Sequence, residues 1–106
     1  MRDMSNEELY ALLSTEFETA QTDWTGHTEV PKPPYVLYLV RKPSKVKADN
    51  KRYYTERRYQ LELYCEKTDY VSEDKLEKLL DDNDIFWDKE KIWNREINLY
   101  QVIYEI

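Results

Sequence analysis

The sequence is poor in the residues from which most functional motifs are built. Its 106 residues include one glycine, Gly26. A phosphate-cradling loop and a dinucleotide fingerprint each need at least two, because only glycine lets backbone approach phosphate closely, so nucleotide chemistry of those kinds is excluded. The single cysteine, Cys65, has no partner for an internal disulfide, and with a single histidine, His27, the chain cannot supply a Cys/His zinc cluster. The longest uninterrupted apolar stretch, Tyr35 to Val40, is six residues, far short of the roughly 20 that a membrane-crossing helix needs. Met1 to Tyr10 alternates charge and polarity where a secretory signal requires an apolar run. The expectation is a soluble, intracellularly made protein with no membrane partner.

What the chain does contain is aromatic and ionised. Ten Tyr, three Trp and two Phe would leave too much apolar surface in water for a disordered chain. Its length allows a single domain, 1–106. Charge is unevenly placed within a net of −6: residues 41–58 hold eight basic side chains against Asp49 and Glu56, so the remainder of the chain carries −12. Three readings of this basic run stay open. It can be a solvated loop that protects a neighbouring strand from edge pairing. It can dock on an acidic surface of another copy or a partner. It can touch DNA through Lys45, Lys47, Lys51 and Arg52 with Tyr53 and Tyr54 stacking, against repulsion from the acidic remainder over a Debye length of about 8 Å.

Periodicity gives an outline of the fold. Ser5 and Glu8 fit a capping box, Met4 and Leu9 can staple it, and Leu9, Leu12, Leu13 and Phe17 recur at helical spacing, which predicts a helix over about 6–16. Phe17 to Val30 reads as a short strand or extended arm followed by a loop. After Pro31, Pro33 and Pro34, the β-branched and aromatic run Tyr35 to Val40 predicts a strand buried on both faces. Arg41 to Asn50 reads as a loop by composition, with Asp49 and Asn50 suited to reversing the chain where glycine is absent. A long strand follows over 53–65, with Tyr59, Leu61, Leu63 and Cys65 on one face and Arg58, Gln60, Glu62 and Tyr64 on the other. Asp69 or Ser72 can cap a second helix over about 70–82 with Leu76, Leu79 and Leu80 inward and Asn83 as its terminator. Strands over about 85–91 and 98–105 close the chain as a hairpin. The expected class is α+β: a small mixed, mainly antiparallel sheet of about five strands packed with two helices.

Groups that could carry catalysis are few. Cys65 sits on an apolar-alternating strand and His27 in a polar loop, a poor basis for a nucleophile pair. Asp81 with Asp82, and Glu73 with Asp74, are helical neighbours whose side chains diverge by about 100°. Asp88-Lys89-Glu90-Lys91 matches in outline the acidic-lysine element of metal-dependent nucleases, which further requires an acidic residue on an adjacent strand. No enzyme is expected, and no catalytic residue, metal ligand or cofactor is assigned.

Five landmarks occur in a particular order and spacing. Pro33-Pro34-Tyr35 opens the apolar strand and Ala48-Asp49-Asn50 closes the loop. Gln60-Leu61-Glu62-Leu63-Tyr64 lies on the long strand, Lys67 and Asp69 precede the acidic helix, and Leu99-Tyr100-Gln101 is followed by Tyr104. From Pro31 to the C-terminus this pattern resembles the small tail-completion, or head-tail joining, proteins of long-tailed bacteriophages and prophages of Gram-positive bacteria. Thr19 to Val30 depart from the family's pattern, being longer than its usual first strand and turn. The resemblance implies an α+β fold and a structural, non-catalytic role without cofactor. It also implies a terminator-like ring, with six copies the expected number, at the head-proximal end of the tail tube. The implied neighbours are the tail-tube protein below and a connector or stopper protein above, with DNA passing through the lumen. The implied location is the head-tail interface of the virion, reached by assembly in the host cytoplasm.

With that resemblance, the contact residues expected toward a neighbouring copy or partner are Arg41, Lys42, Lys45, Lys47, Asp49, Asn50, Lys51 and Arg52. A monomer in dilute solution is compatible with such a role, since ordering a loop costs free energy that keeps free association weak. The alternative from a different class is a small acidic monomeric binding module, an inhibitor that presents carboxylates to a basic host protein.

Overall fold

The computed structural model describes residues 4–23, 30–47 and 53–106, with 41–47 and 53–58 described through their backbone. In chain order the elements are α1 (Asn6–Ser14), β1 (Glu18–Gln21), β2 (Tyr35–Lys47), β3 (Tyr53–Cys65), α2 (Ser72–Asp82), β4 (Asp88–Asn94) and β5 (Leu99–Glu105). The strands form one sheet in the order β1-β2-β3-β5-β4. β1 runs parallel to β2 and every other pair is antiparallel. The fold is the α+β class expected from periodicity.

Local chemistry explains where the helices begin and end. Ser5 Oγ accepts from the Glu8 backbone N–H at 3.2 Å and donates to the Glu8 carboxylate at 3.3 Å, satisfying an amide that helix geometry leaves orphaned. Met4 and Leu9 on either side of that cap are both buried. α1 stops at Ser14, short of the expected 16, because the Thr15 hydroxyl donates to the Leu12 carbonyl at 2.7 Å and closes the last turn. Asp69 caps α2 from outside: it accepts from the backbone N–H groups of Val71 and Ser72 at 3.0 and 2.9 Å and from the Ser72 hydroxyl at 2.6 Å. Burial opposes that carboxyl's charge, but these donors outweigh it and hold its pKa below the ordinary value. Tyr70 and Val71 therefore precede α2 instead of opening it. Asn83 ends the helix, donating from its side chain to the Leu79 carbonyl at 2.8 Å, and Asp84 then takes a left-handed φ of 57°.

One face of the sheet carries the core. Val36 and Tyr38 of β2, Tyr59, Leu61 and Leu63 of β3, and Val102 and Tyr104 of β5 cluster with Leu9 and Leu13 of α1 and Leu76 and Leu80 of α2. Alternation places all of these strand residues on the same side. The Tyr59 hydroxyl donates to the Met4 carbonyl at 2.6 Å, tying the start of the chain to the middle strand.

Two expectations are corrected. Arg41 to Asn50 is not wholly loop: β2 continues to Lys47, paired with Tyr53 to Arg58. The register slips between Arg41 and Ser44, so that two residues of β2, Lys42 and Pro43, stand against one of β3, Arg57. This is a β-bulge, one of the few places in a strand where the missing N–H of a proline costs no ladder bond. The expected strand over 85–91 is displaced to Asp88–Asn94. Ile85 is instead buried in the turn that ends α2, its N–H donating to the Leu80 carbonyl at 3.0 Å. Trp87 Nε1 donates to Asp81 at 2.8 Å.

Leu61 is fully buried on the central strand. Leu61→Ala is expected to lower the free energy of unfolding by about 2–5 kcal/mol through lost transfer energy and an unfilled cavity, measured by urea denaturation. A change below about 1 kcal/mol would show that this face is not the packed core.

Candidate functional site

Four of the eight sequence-predicted contact residues lie on a two-stranded ribbon that leaves the sheet. β1 pairs with β2 only over Tyr35–Tyr38. β5 pairs with β3 over Gln60–Cys65, extended by reciprocal backbone bonds between Tyr59 and Ile106 at 3.1 and 3.5 Å. Beyond that level, Arg41–Lys47 and Tyr53–Arg58 are paired, among the described residues, only with each other. The protein is accordingly elongated, with principal extents of 51 × 29 × 26 Å and a radius of gyration of 15.1 Å, against about 13 Å for a compact chain of this length.

Arg41, Lys42, Lys45 and Lys47 fall on the β2 arm of this ribbon, with Lys45 opposite Thr55 and Lys47 opposite Tyr53. Asp49, Asn50, Lys51 and Arg52 lie outside the described residues. An isolated two-stranded ribbon is marginally stable in water. This one concentrates positive charge on a body of opposite sign.

The sheet beneath the ribbon sorts its charges by face. On β4, Lys89 and Lys91 point to the helix side and are held by α2: Lys89 donates to Glu73 and Glu77, and Lys91 donates to Glu73 at 2.9 Å. Lys91 also stands 4.5 Å from the centroid of the Tyr100 ring. The Tyr104 hydroxyl donates to Glu77 at 2.8 Å, and burial with that carboxylate raises its pKa strongly. Burial pushes the Glu73 carboxyl up, but the hydrogen bonds from Lys89 and Lys91 win and hold it below its ordinary value. The same bonds raise both lysines.

With the lysines turned inward, alternation turns Asp88 and Glu90 to the other face. There Asp88 stands opposite Glu105 and Glu90 opposite Ile103, lining a shallow groove of about 170 Å³. No basic side chain among the described residues pairs with Asp88 or Glu90. Toward the centre of this face, Glu62 accepts from Gln60 and Tyr64 at 2.8 and 2.7 Å, and Tyr35 and Tyr64 stack at 5.0 Å. Neither helix covers this side; the described core cluster lies on the other.

Other candidate chemistry is dispersed. Cys65 is buried, and desolvation raises its thiol pKa, the opposite of what a nucleophile requires. His27 lies outside the described residues. Glu105 supplies the adjacent-strand carboxylate that the Asp88–Lys91 run needed, but both lysines of that run face α2 instead. Among the described residues, no group of three or more His, Cys, Asp and Glu is placed to hold a metal ion, and no helix is long and apolar enough to cross a membrane. Comparison with protein-family models, with curated proteins and with solved structures finds no match.

The sequence reading missed the open face. A signal was present: Asp88-Lys89-Glu90-Lys91 alternates acid and base at period two, so on a strand all the acids share one side and all the bases the other.

A carboxyl with a depressed pKa contributes stability above its unfolded value, near 4.5 for Glu73, and that contribution disappears as pH falls through the folded value. Glu73→Gln is therefore expected to cost about 1 kcal/mol or more at neutral pH. It should also reduce the loss of stability between about pH 5 and pH 3 relative to the unaltered chain. Urea midpoints across that range check both.

Proposed function

We propose that this chain is a structural assembly protein whose copies associate head to tail into a ring, acting as a head-tail joining or tail-completion component of a long-tailed phage. The observation that carries the reading is the β2–β3 ribbon, a two-stranded basic extension beyond the last strand that supports it. It sits on a domain whose remaining residues carry −12. Such a ribbon gains by being covered, and the sign of its charge selects an acidic surface.

A contact in which each copy gives one surface and receives on another is heterologous, and it closes into a ring where the rotation permits. Exposed charge pairs contribute only about 0–1 kcal/mol each, so they set register and encounter rate while apolar burial supplies most of the affinity. An α+β architecture with a small sheet and two helices is what the family resemblance implies. In that setting the ring meets the tail tube on one side and a connector or stopper on the other.

Reversing Lys45, Lys47, Lys51 and Arg52 to Glu is expected to leave far-UV circular dichroism and the thermal midpoint close to those of the unaltered protein. Self-association in sedimentation velocity at low salt should be abolished, and heads and tails should remain unjoined in particles assembled with the variant. A folded variant that associates and joins heads to tails as before would overturn the reading.

A further inference from the structure

The ribbon leaves the sheet at the level of Tyr59 and Ile106 and continues the β2 and β3 strands through a bulge as far as Lys47. Among the described residues its strands pair only with each other, and a second copy of the chain offers surfaces of the opposite charge.

The open face has the chemistry to receive the ribbon. Toward its centre Ile103 and Leu39 are half-buried on either side of Gln60 and Glu62 of β3, and its β4 side presents Asp88 and Glu90, which have no basic partner among the described residues. On the reverse side of the same strand every lysine is already satisfied by α2. On β4 itself, the unpaired negative charge is thus on the open face.

Dimensions agree as well. Seven strand residues from Arg41 to Lys47 span about 23 Å at roughly 3.3 Å per residue. The four gaps between five strands span about 19 Å at roughly 4.8 Å each. On this face Ala20, Tyr35 and Leu37 of β1 and β2 are buried, so the uncovered part spans β3, β5 and β4, about 10 Å at roughly 4.8 Å per gap, a width the ribbon can cross.

We infer that the open face of the sheet, centred on Ile103 and bordered by Asp88 and Glu90, is the seat for the β2–β3 ribbon of a second copy of this chain. The inference rests on the assembly reading above and adds to it the identity of the receiving surface. Ribbon and seat lie on different parts of the chain, so each copy can give its ribbon and receive one at the same time.

A charge swap tests this. Asp88→Lys with Glu90→Lys is expected to weaken self-association at low salt by about tenfold or more without altering the circular dichroism spectrum. Mixing that variant with Lys45→Glu/Lys47→Glu chains should restore association between unlike copies. A disulfide trap locates the contact independently. In a Cys65→Ala background, Glu90→Cys chains are mixed with Lys45→Cys or with Val46→Cys chains, since adjacent strand positions present opposite faces. Oxidation should give a covalent pair with one of the two.

If the chain self-associates but the Asp88/Glu90 reversal leaves association unmoved, or neither trap forms a covalent pair, the ribbon seats elsewhere. The inference then falls while the assembly reading stands. A chain that remains monomeric at near-millimolar concentration and low salt overturns both.

Discussion

The extent to which β3 is paired organises this molecule. From Tyr59 to Cys65 the strand has a neighbour on each side, β2 and β5, and its inward residues are almost completely excluded from water. From Tyr53 to Arg58 it has β2 alone. One continuous strand thus serves as the centre of a packed domain and as half of the ribbon, and the boundary falls just beyond its pairing with β5, at the Tyr59–Ile106 backbone bonds. The buried half anchors the other: hydrogen bonding and burial over Tyr59–Cys65 hold the direction in which the ribbon leaves.

The helices do more than cover the core. α2 places Glu73 and Glu77 over β4, where they hold Lys89 and Lys91 against the sheet. Partly exposed ion pairs of this kind contribute modestly to stability. Their larger consequence is directional. Once both lysines are committed to the helix side, the strand's alternation leaves Asp88 and Glu90 nowhere to point but outward. The outward acids and the inward, paired lysines of β4 are two results of one arrangement, and losing the Glu73 contacts would loosen the first as well as the second.

Much of this was legible in the sequence, because the signals were periodic and strong. The Ser5–Glu8 cap, the leucines of both helices and the alternation through Tyr59–Cys65 each point to the element observed. Reading failed where composition and pairing pull in opposite directions. Arg41–Lys47 is lysine-rich and holds a proline, which suggests loop, yet its backbone finds a complementary partner in Tyr53–Arg58 and the bulge absorbs Pro43. Pairing is a non-local property that no window on the chain reveals. Ile85 and Trp87 misled in the other direction, since apolar residues suited to a strand serve here to seal the end of α2. The scarcity of glycine was readable in a different sense: with Gly26 alone available, left-handed geometry falls to Thr22, Asp84 and Asn98. Asp and Asn are the residues that best tolerate it; the β-branched Thr22 is the costlier case.

The separation of charge also bears on the symmetry of any assembly. In an isologous two-fold contact residue i meets j and j meets i, so two copies can exchange ribbon and acidic face reciprocally; ribbon laid on ribbon, or Asp88 and Glu90 on their own equivalents, sets like charge against like. Such juxtapositions are repulsive at the close range of an interface, where screening by salt is weakest. Contact between unlike surfaces carries no such penalty, and where it is not reciprocated it leaves one free ribbon and one free acidic face after each addition. The charge separation therefore disfavours like-on-like contacts, while a reciprocal pair, a closed ring and an open helix all avoid them. Which of these an assembly would take depends on the angle at which the ribbon leaves the sheet, and bulges such as the one at Lys42–Pro43 are where strands change direction.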